Sequence, residues 1–406
     1  MKYIVVLGDG MADEPIDALG SKTPLEYAKT PAMDLLAKKS EIGMVATIPE
    51  GMSPGSDTAN LAVLGYNPRE YYTGRSPLEA LSIGVKMKDT DIAIRCNIVT
   101  LSEEDVPYAE RMILDHSSSE ISTEDATILL NAVKEELEDE IFQYYVGTSY
   151  RHLTIWKHGK VVNLTPPHDI LGKKIKDYLP SVVNEDPDAM LLQKMMERSY
   201  DILNNHPLNI ERAKKGLNKA NSIWFWGAGT KPNLKPFIEK FHKKGVMISA
   251  VDLLKGIAVG ADMKVVIVDG ADGTLHTNYE GKARAALKEL LYNNQDFVYI
   301  HVEAPDEMGH QGRVDAKIEA IEQIDEKIVD VIVREMEKAK EDYRMLIMPD
   351  HPTPIHLRTH TSNPVPYLLY DSTKEICEDQ SYSEKEAAKK NQLIEDGYTL
   401  IQRLFS

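Results

Sequence analysis

Acidic residues and histidines follow three apolar runs of this chain. Asp9 closes the first run, Asp306 and His310 come shortly after a second, and Asp350 and His351 come directly after a third. Carboxylates are ligands of hard divalent cations and imidazole suits Mn²⁺, Fe²⁺ and Zn²⁺, so a mixed set favours Mn²⁺ or Zn²⁺. The residue types therefore indicate a metal site built from distant parts of the chain.

The three apolar runs read as short buried strands. They cover residues 2–7, 297–302 and 345–348. Strand-like and helical stretches alternate from end to end, which is typical of an α/β fold with a doubly wound, mostly parallel sheet. Ligands of such sheets gather outside the carboxyl ends of the strands. The metal-type residues are therefore expected to meet in one crevice.

Ser56 could act as a nucleophile in the same crevice. The loop before it, residues 49–55, is rich in glycine and proline, and a helical pattern follows it. We expect Ser56 at a helix N-terminus, where free N–H groups and the helix dipole favour a phosphate. The competing interpretation is that Ser56 is only a helix cap.

Together with His360, these residues suggest phosphoryl transfer at two metal ions. Two ions ~3.5 to 4 Å apart can stabilise both the attacking and the leaving oxygen, and metal coordination can activate a serine hydroxyl. Single residues have structural alternatives: Asp9 could cap a turn, Asp350 could form an Asx turn, and His360 could be a core histidine. Their joint occurrence at strand ends favours the metal site.

The composition limits the partners of the protein. Its 406 residues carry a net charge of −17, which disfavours nucleic-acid binding because phosphate backbones require a basic face. A small anionic substrate is compatible, since metal ions and a few arginines can make a cleft locally positive. No apolar stretch reaches the roughly 18 residues of a membrane span, and the N-terminal run ends too soon for a secretory signal. We expect a soluble, cytoplasmic protein.

The middle of the chain differs from its two ends. Residues 84–216 contain short strands, an acidic helix and a proline-rich bend, and we interpret them as an inserted, smaller α+β domain. Residues 1–83 and 217–406 would form the discontinuous core domain. Core strands are expected to resume at residues 222–226. Helices are expected at about 26–39, 314–343 and 384–404.

Five short motifs occur in a characteristic order. They are Gly8-Asp9-Gly10 with Asp13, Gly55-Ser56-Asp57-Thr58-Ala59-Asn60-Leu61, Pro305-Asp306-Glu307-Met308-Gly309-His310, Pro349-Asp350-His351 and Thr359-His360-Thr361. This set resembles the cofactor-independent phosphoglycerate mutases, most closely their archaeal-type branch within the alkaline phosphatase superfamily. The likeness spans both ends of the chain and extends through the middle.

The resemblance implies an alkaline-phosphatase-like core that carries two divalent metal ions, with a cap domain that grips the substrate. Mn²⁺ is the expected ion, with Zn²⁺, Mg²⁺ and Co²⁺ as alternatives, and no 2,3-bisphosphoglycerate is required. By motif, one ion would be held by Asp306, His310 and His360. The other would be held by Asp9, Ser56, Asp350 and His351.

The implied reaction is an isomerisation of 3-phosphoglycerate to 2-phosphoglycerate, a step of glycolysis and gluconeogenesis. Ser56 would take the phosphoryl group and return it to the other hydroxyl of the bound glycerate. Lys255, in Asp252-Leu253-Leu254-Lys255-Gly256, looks like the family's lysine that steadies this group. Water must be excluded, because an open phosphoserine would hydrolyse. A closing cap meets this requirement.

Arginine forks suit carboxylates and phosphates, so arginines are the expected substrate contacts. The candidates are Arg95 and Arg151 with His152 in the cap, and Arg75 after the nucleophile segment. For each of them, a surface salt bridge is the competing interpretation. The family pattern has a paired-arginine stretch where this chain has residues 114–118, so a different acceptor stays open.

Three other functions remain as alternatives. A phosphotransferase acting on another hydroxy acid, or on an amino acid such as homoserine, would keep the fold, but the chain lacks a glycine-rich loop for ATP phosphates. A metal-dependent phosphomonoesterase would need a cap that admits water. A non-catalytic metal-bearing protein is disfavoured because Ser56 is present. The sequence predicts no particular oligomeric state.

Overall fold

A computed structural model describes residues 1–184 and 186–406. The strands are, in chain order, β1 Lys2–Gly8, β2 Ser40–Val45, β3 Ile92–Leu101, β4 Ile113–Asp115, β5 Phe142–Tyr145, β6 Arg151–Trp156, β7 Ser222–Thr230, β8 Gly245–Ile248, β9 Lys264–Val266, β10 Phe297–Val302, β11 Tyr343–Met348, β12 Val365–Asp371 and β13 Leu393–Ile394. The helices are α1 Pro24–Tyr27, α2 Pro31–Ala37, α3 Ser56–Val63, α4 Pro68–Tyr71, α5 Arg75–Ser82, α6 Thr123–Leu137, α7 Pro180–Val183, α8 Pro187–Leu203, α9 Pro207–Lys214, α10 Phe237–Phe241, α11 Asp252–Gly260, α12 Tyr279–Leu291, α13 Ala304–His310, α14 Val314–Ile324, α15 Asp330–Ala339, α16 Glu384–Lys389 and α17 Leu400–Phe405.

These elements form two compact units. The first unit comprises Met1–Tyr72 and Asn233–Ser406, and the second unit comprises Thr73–Pro232. The first unit is built on an eight-stranded sheet in the order β13-β2-β12-β11-β1-β10-β8-β9. β1 pairs in parallel with β10 and β11, whereas β12 is antiparallel to β11 and β2. The predicted α/β fold class with a mostly parallel sheet is confirmed.

β1 lies inside this sheet because its residues are apolar on both faces. Ile4, Val5, Val6 and Leu7 are all buried, as expected of a parallel strand covered on both sides. Ile4 and Val6 share one hydrophobic cluster with residues of α12 and α14. Because β1, β10 and β11 run in the same direction, their carboxyl ends lie at one edge of the sheet.

The second unit is an α+β domain around an antiparallel sheet. β3 pairs with β6 and β7, and β5 pairs with β6. Ile94 of β3 and Trp224 of β7 share a hydrophobic cluster with Leu192 and Met196 of α8. The helix α8 therefore covers part of the core of this unit.

β7 corrects one expectation from the sequence. Residues 222–226 are predicted as a core strand, but β7 pairs with β3 in the second unit. A short apolar run fits either sheet, and its partner depends on contacts that are distant in sequence. The helix α5 also belongs to this unit, so the units divide at 72/73 and 232/233 rather than at 83/84 and 216/217.

The three long predicted helices are each interrupted or shortened. The helix predicted at 26–39 is divided into α1 and α2, because Pro31 lacks an N–H and disfavours helical backbone before it. The one predicted at 384–404 consists of α16, β13 and α17, because β13 pairs with β2. The one predicted at 314–343 runs through a π-helical turn and ends at Ala339.

Within residues 1–184 and 186–406, no helix is both long and apolar enough to cross a membrane.

Candidate active site

The turn after β1 brings Asp9 close to the start of α13. Gly10 has a φ of 59°, in the left-handed region that favours glycine. A Cβ at Gly10 would lie 2.5 Å from Oδ1 of Asp306, so the backbone passes directly over that carboxylate. The turn therefore requires a glycine, and it places the residues after β1 and β10 next to each other.

Asp306, His310 and His360 form a first group of possible metal ligands, with their ligand atoms within 4.8 Å of one another. Nε2 of His310 is 3.2 Å from Oδ2 of Asp306, and Nε2 of His360 is 3.4 Å from Oδ1 of Asp306. Nδ1 of His310 donates to the carbonyl oxygen of Arg358 at 3.0 Å. This bond directs the other ring nitrogen of His310 toward the site, where a neutral ring can bind a metal.

Asp9, Asp306 and His351 form a second group, whose ligand atoms also lie within 4.8 Å of one another. Nε2 of His351 is 3.4 Å from Oδ1 of Asp9. Ser56, the first residue of α3, joins this group: its Oγ is 3.1 Å from Nε2 of His351 and 3.5 Å from Oδ2 of Asp9. A serine hydroxyl at a helix N-terminus thus contacts both a carboxylate and an imidazole.

Asp350 is held beside the second group by hydrogen bonds. Its Oδ1 accepts from the backbone N–H groups of Gly10 and His351 at 3.0 and 2.9 Å. Its Oδ2 accepts from Nδ2 of Asn60 at 2.8 Å and lies 3.4 Å from Nε2 of His351. The grouping therefore differs from the one that the resemblance implies, because Asp306 lies in both groups.

Negative charge accumulates at this site. Burial, and then the charges of Asp350 and Asp306, raise the pKa of Asp9 well above its ordinary value. Oδ1 of Asp9 is buried and has no hydrogen-bond partner among the residues that the structure describes. A buried carboxylate oxygen without a partner is destabilising, so these donors fit a divalent cation, and their Asp/His composition favours Mn²⁺ or Zn²⁺.

The histidines respond to the aspartates in different ways. Burial alone would raise the pKa of Asp306, but hydrogen bonds with His310 and His360 outweigh burial and hold this pKa well below its usual value. The hydrogen bond between His310 and Asp306 raises the pKa of His310 to about 9. Burial lowers the pKa of His351, despite the charge of Asp350. His310 is therefore hydrogen-bonded to Asp306 and takes up a proton readily, whereas burial disfavours protonation of His351.

Two buried polar residues that support the site are not among the sequence-based candidates. Lys317 donates from Nζ to Oδ2 of Asp13 at 2.7 Å and to the carbonyl oxygen of Thr353 at 2.9 Å, which ties the turn after β1 to the turn after β11. His301 places Nε2 2.8 Å from Oδ2 of Asp9. Their sequence signal is a polar residue inside an otherwise apolar run or helix face.

Lys255 and His152 form no hydrogen bond or ion pair with the other candidates in the described part of the chain. Nζ of Lys255 is 3.0 Å from Oδ1 of Asp252 on the same helix, α11. His152 is buried in β6, where its Nδ1 accepts from the N–H of Gly147 at 3.1 Å. Burial lowers the pKa of His152 to about 4. The roles expected of both residues stay predictions.

Arg75, Arg95 and Arg151 line a pocket of about 270 Å³ in the second unit. We call it the arginine pocket. His116 and Trp226 line it as well, and the guanidinium of Arg95 lies 4.4 Å from the centroid of the Trp226 ring. Three cationic side chains in one concave surface can bind an anion.

The three arginines of this pocket differ in their partners. Nε of Arg75 is 3.2 Å and Nε of Arg95 is 2.9 Å from the carboxylate of Glu79. Arg151 donates to the hydroxyl oxygen of Tyr150 at 2.9 Å, and it has no carboxylate partner within the described residues. The charge of Arg151 is therefore the least neutralised of the three.

Comparison with known proteins relates the whole chain to one family. A family model described as 2,3-bisphosphoglycerate-independent phosphoglycerate mutase matches residues 37–209. An enzyme of that name from Methanosarcina barkeri is 47% identical over 395 residues, which are 97% of this chain and 96% of the relative. Another, from Methanothrix thermoacetophila, is 43% identical over 408 residues, with 100% of both chains covered.

Solved structures agree with these sequence relatives. A protein from Pyrococcus horikoshii superposes with a TM-score of 0.81 at 28% identity, over 99% of this chain and 96% of that protein. The cofactor-independent phosphoglycerate mutase of Thermoplasma acidophilum superposes with a TM-score of 0.69 at 25% identity, over 100% of this chain and 99% of that enzyme. Since these likenesses extend over the full length, this chain belongs to the 2,3-bisphosphoglycerate-independent phosphoglycerate mutase family.

Proposed function

We propose that the protein interconverts 3-phosphoglycerate and 2-phosphoglycerate, a step of glycolysis and gluconeogenesis, without 2,3-bisphosphoglycerate. Its full-length relatives are named for this reaction. The structural observation that carries the proposal is the position of Ser56, whose hydroxyl contacts Asp9 and His351 in a cluster of metal-type ligands. A serine in this place is suited to take the phosphoryl group and form a phosphoserine.

Two divalent ions would be held by the two ligand groups together with Ser56 and Asp350 beside them, with Mn²⁺ as the first candidate. One ion would be held by Asp306, His310 and His360, and the other by Asp9, Ser56, Asp350 and His351. When bound, such ions supply positive charge that stabilises the attacking and leaving oxygens and activates the serine hydroxyl. The place of Asp306 in both groups supports a role as a shared ligand.

The phosphoryl group would be transferred through Ser56, and other residues of the site would orient this transfer. Oγ of Ser56 would lose its proton and attack the phosphorus, and the bond from the phosphorus to the glycerate oxygen would break as that oxygen takes up a proton. The glycerate would turn, its other hydroxyl oxygen would lose its proton and attack the phosphoserine, and Ser56 would leave and regain its proton. The N-terminus of α3 favours the negative phosphoryl group, and Lys255 is proposed to steady it. Asn60 donates to both the Ser56 carbonyl oxygen and Asp350, at 2.8 Å each, and so holds the start of α3 against β11.

The second unit is proposed to bind the carboxylate of the substrate and to exclude water during the transfer. Arg151 is the main candidate because its charge has no carboxylate partner among the described residues. Arg75 and Arg95 would extend the same anion site, and Glu79 would orient both. His152 follows Arg151 in β6 and is buried. It would act indirectly, by holding this strand through its hydrogen bond with the N–H of Gly147.

A coupled assay with enolase tests this proposal. Metal-stripped protein should convert 3-phosphoglycerate only after Mn²⁺ is added, and Ser56→Ala should remove the activity. Ser53→Ala, which changes an exposed serine of the same loop, should retain it. Turnover by Ser56→Ala, or none by the wild-type protein with Mn²⁺, would contradict the proposal.

Two parallel reactions separate the remaining alternatives. Incubation with homoserine and ATP would produce a phosphorylated amino acid if the protein were a homoserine phosphotransferase. Release of inorganic phosphate from 3-phosphoglycerate, without 2-phosphoglycerate, would indicate a phosphomonoesterase. The proposed mutase should give neither product at a rate comparable to the isomerisation.

A further inference from the structure

A chain of hydrogen bonds runs from the end of β8 to Asp9. His301, in β10, is fully buried, and its Nε2 lies 2.8 Å from Oδ2 of Asp9. Its Nδ1 lies 3.2 Å from Oγ of Ser249, which follows β8. The same Oγ accepts from the N–H of Val251 at 3.0 Å. Both ring nitrogens of His301 therefore have a polar partner, although the strand around them is apolar.

The partners determine which ring nitrogen carries the proton. With a divalent cation bound at the site, Asp9 is ionised and can only accept a hydrogen bond, so Nε2 of His301 donates to it. A neutral imidazole that donates from Nε2 must accept at Nδ1, and the Ser249 hydroxyl can donate there while it accepts from Val251. The chain of donors thus has one direction, from Val251 through Ser249 and His301 to Asp9.

The consequence for Asp9 is a fixed carboxylate orientation. Oδ2 is occupied by His301, whereas Oδ1 has no hydrogen-bond partner among the residues that the structure describes. Oδ1 is also the oxygen that lies 3.4 Å from Nε2 of His351. The backbone of His301 is fixed as well, because the fully buried Lys282 donates from Nζ to its carbonyl oxygen at 2.9 Å.

We propose that His301 is a positioning residue, held in its donor tautomer by Ser249, which fixes Asp9 so that Oδ1 is presented to the metal. This inference rests on the metal site of the proposed function. It predicts that the hydrogen bond to Oδ2, rather than the bulk of the imidazole, controls metal affinity. Residues outside the ligand shell commonly tune metal binding in this way.

A matched pair of variants separates these two contributions. Glutamine places its amide nitrogen near the position of Nε2, so His301→Gln keeps the donor to Asp9. Asparagine is shorter and can accept from Ser249 near the position of Nδ1, but it does not reach Asp9. Both variants lose the ring and leave a polar amide in the strand, so their effects on folding are comparable.

The readout is Mn²⁺ binding to the whole, metal-stripped chain, followed by the electron paramagnetic resonance signal of free Mn²⁺ with no substrate present. The dissociation constant of the tighter site should rise roughly 10- to 100-fold in His301→Asn and stay within about threefold of wild type in His301→Gln. Thermal unfolding of the metal-free variants checks that both are folded. Equal affinities of the two variants would overturn the positioning role.

Ser249→Ala provides a second test that keeps the imidazole. Without the hydroxyl, Nδ1 no longer has a donor and the ring can turn an unprotonated nitrogen toward Asp9, so we expect a smaller loss of Mn²⁺ affinity, about threefold to tenfold. Wild-type affinity in Ser249→Ala would overturn the tautomer assignment. Because no turnover is measured, a chain that binds Mn²⁺ but fails in the mutase assay would contradict only the proposed function. A wild-type chain that binds no Mn²⁺ would overturn both.

Discussion

We call the two groups of possible metal ligands, Asp9, Asp306, His310, His351 and His360, together with Asp350, the ligand cluster of the first unit. This cluster and the arginine pocket of the second unit carry opposite charges in different surroundings. In the cluster, Asp9 is 2% exposed and Asp350 is fully buried. In the pocket, the side chain of Arg75 is 48% exposed and that of Arg95 is 14% exposed. Burying an unpaired charge is far less favourable than leaving it in water. The cluster therefore favours a bound cation, whereas the pocket can remain hydrated until an anion binds.

The two regions also differ in how their side chains are held. Asp350 is fixed by backbone N–H groups and by Asn60. Arg75 and Arg95 are long side chains that share the carboxylate of Glu79. Changes in the cluster should therefore remove function, whereas changes in the pocket should weaken substrate binding in proportion to the contact that is lost.

The largest effect is expected for Asp306→Asn. This carboxylate lies in both ligand groups, so its loss should weaken both proposed metal positions. Turnover should fall by about 10³-fold, the loss typical of removing one group that stabilises transition-state charge, and the chain should retain little Mn²⁺ after gel filtration. Glu307→Gln makes the same charge change at the next residue and serves as the control. If Asp306→Asn kept the metal content and rate of this control, the cluster would not be the metal site.

A smaller effect, a rise in KM, is expected for Arg151→Ala in the arginine pocket. Loss of one charged hydrogen bond to an anion is worth ~1.5 to 3 kcal/mol, so KM should rise about 10- to 100-fold. The Mn²⁺ affinity should not change. Arg198→Ala, which removes a surface arginine paired with Glu136 and Asp201, is the control and should leave KM unchanged. An unaltered KM in Arg151→Ala would assign the anion site elsewhere.

Metal binding should stabilise the two regions unequally. At about 100 times its dissociation constant, Mn²⁺ should stabilise the folded first unit by about 2.7 kcal/mol. Amide hydrogen exchange should therefore slow in β1 and β10, next to the ligands, and should change little in β3 and β6. The measurement is exchange by mass spectrometry with Mn²⁺ or with Na⁺ at equal ionic strength. Equal slowing of exchange in both units would show that Mn²⁺ does not stabilise the first unit selectively.

The smallest expected effect is a loss of folding stability in acid that comes from His152. Burial lowers its pKa from 6.5 to about 4, so the unfolded chain takes up a proton more readily than the folded one. The stability that the neutral ring contributes is complete above pH 6.5 and is lost as the pH falls toward 4. Between pH 6.5 and 5.5 the loss should be about 1 kcal/mol.

Urea unfolding at several pH values tests this contribution. His152→Asn keeps an acceptor for the N–H of Gly147 and should lack the His152 part of the acid dependence. His158→Asn changes an exposed histidine of the same unit at a position with a φ of 55°, which asparagine tolerates, and should behave as the wild type. Parallel acid profiles for the wild type and His152→Asn would show that His152 does not titrate as expected.

Parts of the candidate site were predictable because their signals are local. Asp9 and His351 each follow an apolar run, and the carboxyl ends of parallel strands meet at one edge of a sheet. His301 was missed, because a polar residue in an apolar strand indicates that a partner exists but does not identify it. β7 was assigned to the wrong sheet for the same reason, since apolarity does not specify which strand will be the neighbour.

The α/β class, the family motifs and the residue types that can bind a metal are all predictable from short segments of the chain. The folded structure is needed to see that Asp306 lies in both ligand groups, that His301 reaches Asp9, and that Arg151 differs from Arg75 and Arg95 in its partners. These are distances between side chains that are far apart in sequence. Such distances depend on how strands and helices pack, and packing is settled by the whole fold at once.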